Sequence, residues 1–238
     1  MTLLSICQGV TNDIGISKPT TIISNTEETA RRLLGAAQAA GKSLAKAHNW
    51  LALVTEYTFS TVDSTEDYDL PSDFSHLENQ TLWDRTNFEE MRGPLSAQQW
   101  QEYKSSILAS TVTTWKKYRI RNVSGTVKFS IHPTPDAADS LVFEYISKNW
   151  CESSGGTGQS VWTADTDVGV LDENLLFLGT RWRMLNRLGL SYAEEKNEYE
   201  TELEKAIARD GGAPTLSLSG RVRYQLIGPQ NIPDSGYG

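Results

Sequence analysis

The sequence predicts an α+β protein: a helical bundle built from N- and C-terminal segments, an inserted antiparallel β unit, and an extended C-terminal tail. Three observations lead there. Apolar residues recur at helical spacing before residue 50 and again after residue 172, the stretch between them alternates as strands do, and nothing after Gly212 keeps a helical period. At 238 residues the chain needs no covalent staple, because a protein of this size buries roughly 70–75% of its unfolded surface.

Each element has its own signal. Residues 2–14 read as a short helix with Leu3, Leu4, Ile6 and Val10 inward, stopped by Gly15 and Pro19. A second helix opens on an Asn25–Glu28 capping box and carries Leu33, Ala37, Ala40, Leu44, Ala47 and Leu51 on one face. The small residues of that seam admit a close neighbour. Segments 51–62, 112–122, 125–133 and 139–149 are rich in β-branched and aromatic residues, with turn-like chain at 122–125 and 132–139. One helix interrupts them, opened by Ser96 and Gln99 just after Pro94. Residues 152–160 read as a hairpin tip or loop. From 172 onward Leu175, Leu178, Trp182, Leu185 and Leu188 share a face up to Gly189. A Ser191–Glu194 box then restarts helix to Arg209, with Tyr192, Tyr199, Leu203 and Ile207 inward. The expected domains are 1–50 with 168–212 as the bundle, 51–167 as the β insertion with its short helix, and 213–238 as the tail.

Chemistry is hard to find along this chain. The nearest approach to a phosphate-binding loop, GAAQAAGKS at 35–43, has five residues where the motif needs four and lies inside an Ala-rich helix. His48, His76 and His132 fall in separate segments without metal-ligand spacing, and His132, before Pro133, reads as a surface residue. Cys7 belongs on an apolar helix face and Cys151 at a strand end, neither beside a base. No cofactor or metal is expected. The two distant cysteines suit a reduced, intracellular protein. No apolar run approaches the ~18 residues of a membrane span, and a net charge of −8 disfavours tight binding to a phosphate backbone. The acidic run Asp63, Glu66, Asp67 and Asp69, together with seven Trp, keeps one alternative open: a carbohydrate-binding or glycoside-hydrolysing protein. Within 75–103, Trp83 and Trp100 read as anchors of a polar excursion, and Asp84 and Arg85 as a local ion pair.

YDLPSDFSHLENQTLWDRTN followed by GPLSAQQWQEYKS resembles the head-to-tail adaptor (connector) proteins of short-tailed phages, the group related to tail tubular protein A. The similarity extends to ETARRLLGAAQAAGKSLAKAHNW and LLFLGTRWRMLNRLGLSYAEEKNEYE, leaving out residues 152–167 and the tail. The resemblance implies a structural virion protein made in the host cytoplasm, with no enzymatic activity. It implies a ring, a dodecamer, between a portal protein and a tail nozzle protein, whose channel DNA crosses without sequence-specific binding and with no membrane involved. It also makes Trp83, Asp84, Arg85 and Trp100 a scaffold signature that holds the β unit and packs neighbouring subunits.

The tail has a period of two. Leu216, Leu218, Val222, Tyr224 and Leu226 lie on one side of an extended strand, and Arg221 and Arg223 on the other. Strand addition to the portal is the expectation for it; completing the protein's own β unit is the alternative.

Overall fold

In the computed structural model of the protein, residues 1–105 and 116–211 are described. Helix α1 (Leu3–Ile14) is capped by the Thr2 hydroxyl, which accepts from the Ser5 amide, and ends in Gly15 at φ 75°, a conformation that glycine adopts without strain. Helix α2 (Glu28–Ala47) buries Ala30, Leu33, Ala36, Ala37, Ala40, Gly41 and Leu44. Its expected capping box does not form. Asn25 accepts from the Glu27 amide at 2.9 Å, a turn that closes one residue too early, and Glu28 pairs with Arg32 one turn on. Ala47 is exposed and Leu51 lies 62% exposed on a short 3-10 turn, so the apolar stripe ends at Leu44.

The β insertion follows: β1 (Val54–Ser60), β2 (Asp67–Asp69), β3 (Phe74–Leu77), β4 (Trp83–Asp84), β5 (Glu89–Glu90), helix α3 (Ala97–Ser105), β6 (Lys117–Val123), β7 (Thr126–His132) and β8 (Ser140–Ser147). The Ser96 and Gln99 box is realised in both directions, at 3.0 and 3.3 Å. Strands β6 and β7 turn through Ser124 and Gly125, both at positive φ, the turn whose twist matches a tight hairpin. Two antiparallel sheets result. In the first, β8 lies between β1 on one side and β3 and β4 on the other, with β5 beyond β4; in the second the order is β2, β7, β6. Their facing sides interlock through rings: Phe129 stacks on Phe143 at 5.7 Å and on Tyr118 at 5.3 Å. Leu82, Met91, Ile131, Leu141 and Tyr145 complete this core.

Strands β9 (Cys151–Glu152), β10 (Gly158–Gln159) and β11 (Val168–Gly169) form a third small sheet, and the chain ends in α4 (Glu173–Leu188) and α5 (Ala193–Arg209). Trp150, Cys151 and Trp162, which the sequence groups with the β insertion, are buried in the helical core. Trp150 and Trp162 meet edge to face at 5.0 Å, and the Trp150 indole donates to the Ser160 carbonyl. The same stretch clasps the N-terminal segment, since the Asp165 carboxylate accepts from the amides of Ile22 and Ile23. Helix α4 packs on each of α1, α2 and α5. It starts on an Asp172 cap and stops at Gly189, φ 73°. The expected Ser191–Glu194 box is absent: α5 begins after Tyr192 without a side-chain cap, and that ring leans on Trp182 at 6.2 Å.

Strand β8 serves both cores. Leu141, Phe143 and Tyr145 face the sandwich, whereas Ile146 is buried among the helices. At the far end of the bundle, Asp210 accepts from the Leu51 amide at 2.9 Å and approaches His48 at 3.3 Å, tying the end of α5 to the start of β1.

Candidate interaction surface

The hairpin between β4 and β5 rests on a buried charge cluster. Asp84 and Asp139 are almost wholly buried. Lys116 reaches both, at 2.7 Å from Asp84, and Asn87 donates to the two carboxylates at 2.9 and 3.2 Å. Asp84 also accepts from the amides of Thr86 and Asn87, so one side chain closes the turn and anchors it. Burial pushes the Asp84 carboxyl upward, but the bonds from Asn87 and Lys116 outweigh it and hold it below the usual range. Burial likewise works against the Lys116 ammonium, and Asp139 and Asp84 reverse this and raise it.

The expected Asp84–Arg85 pair does not exist. Asp84, the last residue of β4, turns inward, and Arg85, the first residue of the turn that follows, pairs with Glu56 on the outer face at 3.0 Å. That face is open. A hollow of about 540 Å³ is lined by Trp83, Phe88, Val142, Glu56, Glu144 and Arg85 among others. Trp83 is 39% exposed rather than buried as an anchor, and Phe88 is 84% exposed at φ 57°. A bulky residue in the left-handed region is strained, and this one carries its aromatic ring in solvent.

Trp100 is fully buried and seats α3 on the second sheet. Arg121 lies 5.8 Å from its ring centroid, and Lys104 pairs with Glu66 at 2.8 Å. Arg121 also bonds Glu66 at 3.1 Å, Asp67 at 2.9 Å and Ser130 at 2.7 Å. Burial raises the Asp67 carboxyl, but Ser130 and Arg121 more than compensate and lower it. Asp69 pairs with Lys128 at 2.9 Å. Three of the four acids of the 63–69 run are therefore held by cations, and the shift at Asp67 runs opposite to that of a carboxyl kept protonated as a general acid.

His132 is not a surface residue. It sits 5.3 Å from Tyr103 and 6.2 Å from Trp100, and burial lowers its pKa. Cys7 and Cys151 are buried thiols pushed up to about 12 by loss of solvent, which leaves them without thiolate character. Residues 35–43 lie within α2, where the backbone amides are spent on the helix. Among the described residues no group of three His, Cys, Asp or Glu is arranged to hold a metal ion, and no helix is long and apolar enough to cross a membrane. Leu216, Leu218, Val222, Tyr224 and Leu226 lie outside the described residues.

Sequence reasoning passed over Phe88, Asn87, Lys116 and Asp139. Only the Asp84-to-Asn87 turn has a local signal, an Asp with Thr and Asn two and three residues on. Lys116 and Asp139 reach the hairpin from distant parts of the chain.

A bundle carrying a sandwich, with its buried charges engaged in internal pairs and an aromatic held out on an open sheet face, has the build of a structural, contact-making protein. A family model described as SU10 adaptor protein matches residues 1–224. The chain belongs to this family and is a phage head-to-tail adaptor, a structural protein of the virion. Comparison with curated proteins gave no match.

Proposed function

We propose that this adaptor assembles as a closed ring, a dodecamer, between the portal and the tail nozzle, and that the ring continues the channel through which DNA leaves the head. The family match across residues 1–224 carries this reading. The open face around Trp83 and Phe88 supports it. A ring closes by repeating one heterologous contact, which needs an exposed patch on each subunit that its neighbour can cover. The net charge of −8 suits a lining that repels phosphate and lets DNA slide.

The test is native mass measurement of the protein alone and mixed with its portal. A portal complex carrying twelve adaptor copies is expected. Failure to join the portal at any ratio would overturn the reading. The isolated protein is also expected to give no gel shift of duplex DNA at about 0.15 M salt, where screening is already strong; a tight complex there would point to a DNA-processing role.

A further inference from the structure

The tip of the β4–β5 hairpin is a projecting aromatic beside two carboxylates that meet no cation. Phe88, Glu89 and Glu90 are all exposed, and neither acid has a cationic partner among the described residues. The hairpin is stiff before anything docks on it. Asp84 closes its turn and is tied to Asp139 through Lys116 and Asn87, and a preordered knob spends little entropy on binding. Strand β4 runs away from the helices as it approaches this tip. Trp83 pairs with Val142 and Asp84 with Leu141. Ile146, where β8 enters the helical core, lies about 17 Å back along the strand from Leu141. The knob therefore points away from its own bundle.

The complementary surface is on that bundle. Eleven residues make about three helical turns, so Arg31, Lys42 and Lys46 fall in one line on the outward side of α2, opposite its buried face. All three are exposed and have no carboxylate partner among the described residues. Arg187 of α4 joins the line. Its guanidinium fills the space where a side chain at Gly35 would stand, and it donates to the Arg32 carbonyl at 2.8 Å rather than to an acid. Four cations thus share a stripe about 22 Å long. The one acid within α2, Glu28, is already taken by Arg32.

We propose that in the ring the β4–β5 hairpin of one copy docks across α2 of the next, with Phe88 on Arg187 and with Glu89 and Glu90 reaching Arg31 and Lys42 on either side. This rests on the ring reading above and names the two halves of its neighbour contact. A planar guanidinium and an aromatic ring stack well. Adjacent strand residues point to opposite faces, so the two carboxylates straddle the ring as the two cations flank Arg187. Strand β5 is the last of its sheet and can approach a helix edge-on. The contact is heterologous: each copy offers both halves, and repetition closes a ring. The other occupant for a cationic stripe is duplex DNA. The unpaired acids of the knob favour the protein, because they supply the charge the stripe lacks.

Zero-length cross-linking of full-length protein, with isotopically light and heavy copies mixed, tests this on the portal and in concentrated free solution. A carbodiimide joins a carboxylate only to an amine in contact with it, so a link from Lys42 to Glu89 or Glu90 of a differently labelled copy is expected. Arg31→Glu with Lys42→Glu, and separately Glu89→Lys with Glu90→Lys, should each lower complete rings on the portal by about tenfold or more. The melting temperature should not change in either. Mixed in equal amounts, the two variants should recover the ring, because alternating copies restore attraction at every contact. Absence of the link, unchanged rings in both variants, or loss without recovery on mixing overturns the proposal. So does a stripe variant that keeps its ring and loses only retention of duplex DNA at low salt, which assigns the stripe to phosphate. A ring of twelve without the link leaves the ring reading intact. The link in a protein that forms no such ring leaves the contact intact and overturns the ring.

Discussion

The indole of Trp150 lies flat against Gly41, so close that a methyl group on the glycine would stand 2.1 Å from the six-membered ring. A ring just ahead of the small third sheet thus presses on the backbone of α2, and the glycine is what makes room. Gly41→Ala is expected to lower stability by about 1–3 kcal/mol, the usual range for overpacking a filled core. Urea denaturation measures it, and an unchanged midpoint would show that the ring moves aside freely.

Lys116→Met is expected to destabilise more, by about 3–5 kcal/mol, because it strands two carboxylates in a site closed to water. The pH dependence has two limbs. Asp84 is lowered, so its contribution is whole above the unfolded value near 3.8 and fades as pH falls through the folded one. Lys116 is raised, so its contribution is whole below 10.5 and fades as pH rises through its folded value. Unfolding curves across pH should show both limbs in the natural protein and no Lys116 limb in the variant.

Trp100→Ala should cost about 3–5 kcal/mol through the cavity it leaves. The loss should appear first as faster hydrogen exchange in α3, which this ring holds to the second sheet. Uniform loosening of the whole sandwich would show that α3 is not a separately held element.

Phe88→Asn separates folding from contact. Asn tolerates the left-handed conformation, so the isolated protein should be as stable as the natural one or up to about 1 kcal/mol more stable. The ring assembly on the portal proposed above should nonetheless weaken, as read by native mass measurement. Full assembly in this variant would remove the aromatic from the neighbour contact.

Asp63→Asn, Glu66→Gln, Asp67→Asn and Asp69→Asn address the remaining enzymatic alternative. Glycoside, ester and nucleotide hydrolysis by the natural protein should equal buffer, and Asp67→Asn should lower the melting temperature, since its carboxylate joins Arg121 and Ser130. A turnover lost in any one of the four variants would restore the glycosidase.

Local signals are legible in the sequence where the chain answers to itself. Gly15 and Gly189 stop helices, Ser96 with Gln99 starts one, and Ser124-Gly125 turns a hairpin, because each device acts within a few residues. The other two capping boxes failed for different reasons. Asn25 spent its side chain on Glu27, and the start of α5 is set by Tyr192 leaning on Trp182, a contact made across the turn. Trp83 and Trp100 look alike in sequence, yet one lines an open hollow and the other is fully buried. Asp84 ends β4 and turns inward while Arg85 opens the turn, and that boundary is unreadable until β4 has paired with β8. The cluster of Asp84, Lys116 and Asp139 could not be read at all, because its members meet only once two sheets have closed.

Strand β8 is hydrogen-bonded along both sides, and while Leu141, Phe143 and Tyr145 belong to the sandwich core, Ile146 near its end belongs to the helical one. Mechanically this strand is one of the links that carry load between the sandwich and the bundle. A pull along it loads the ladder to β1 in shear, where seven residue pairs from Val54–Ile146 to Ser60–Ser140 must yield together, whereas a pull across it would peel them one by one. A protein of this build is stiff along one axis and compliant along another.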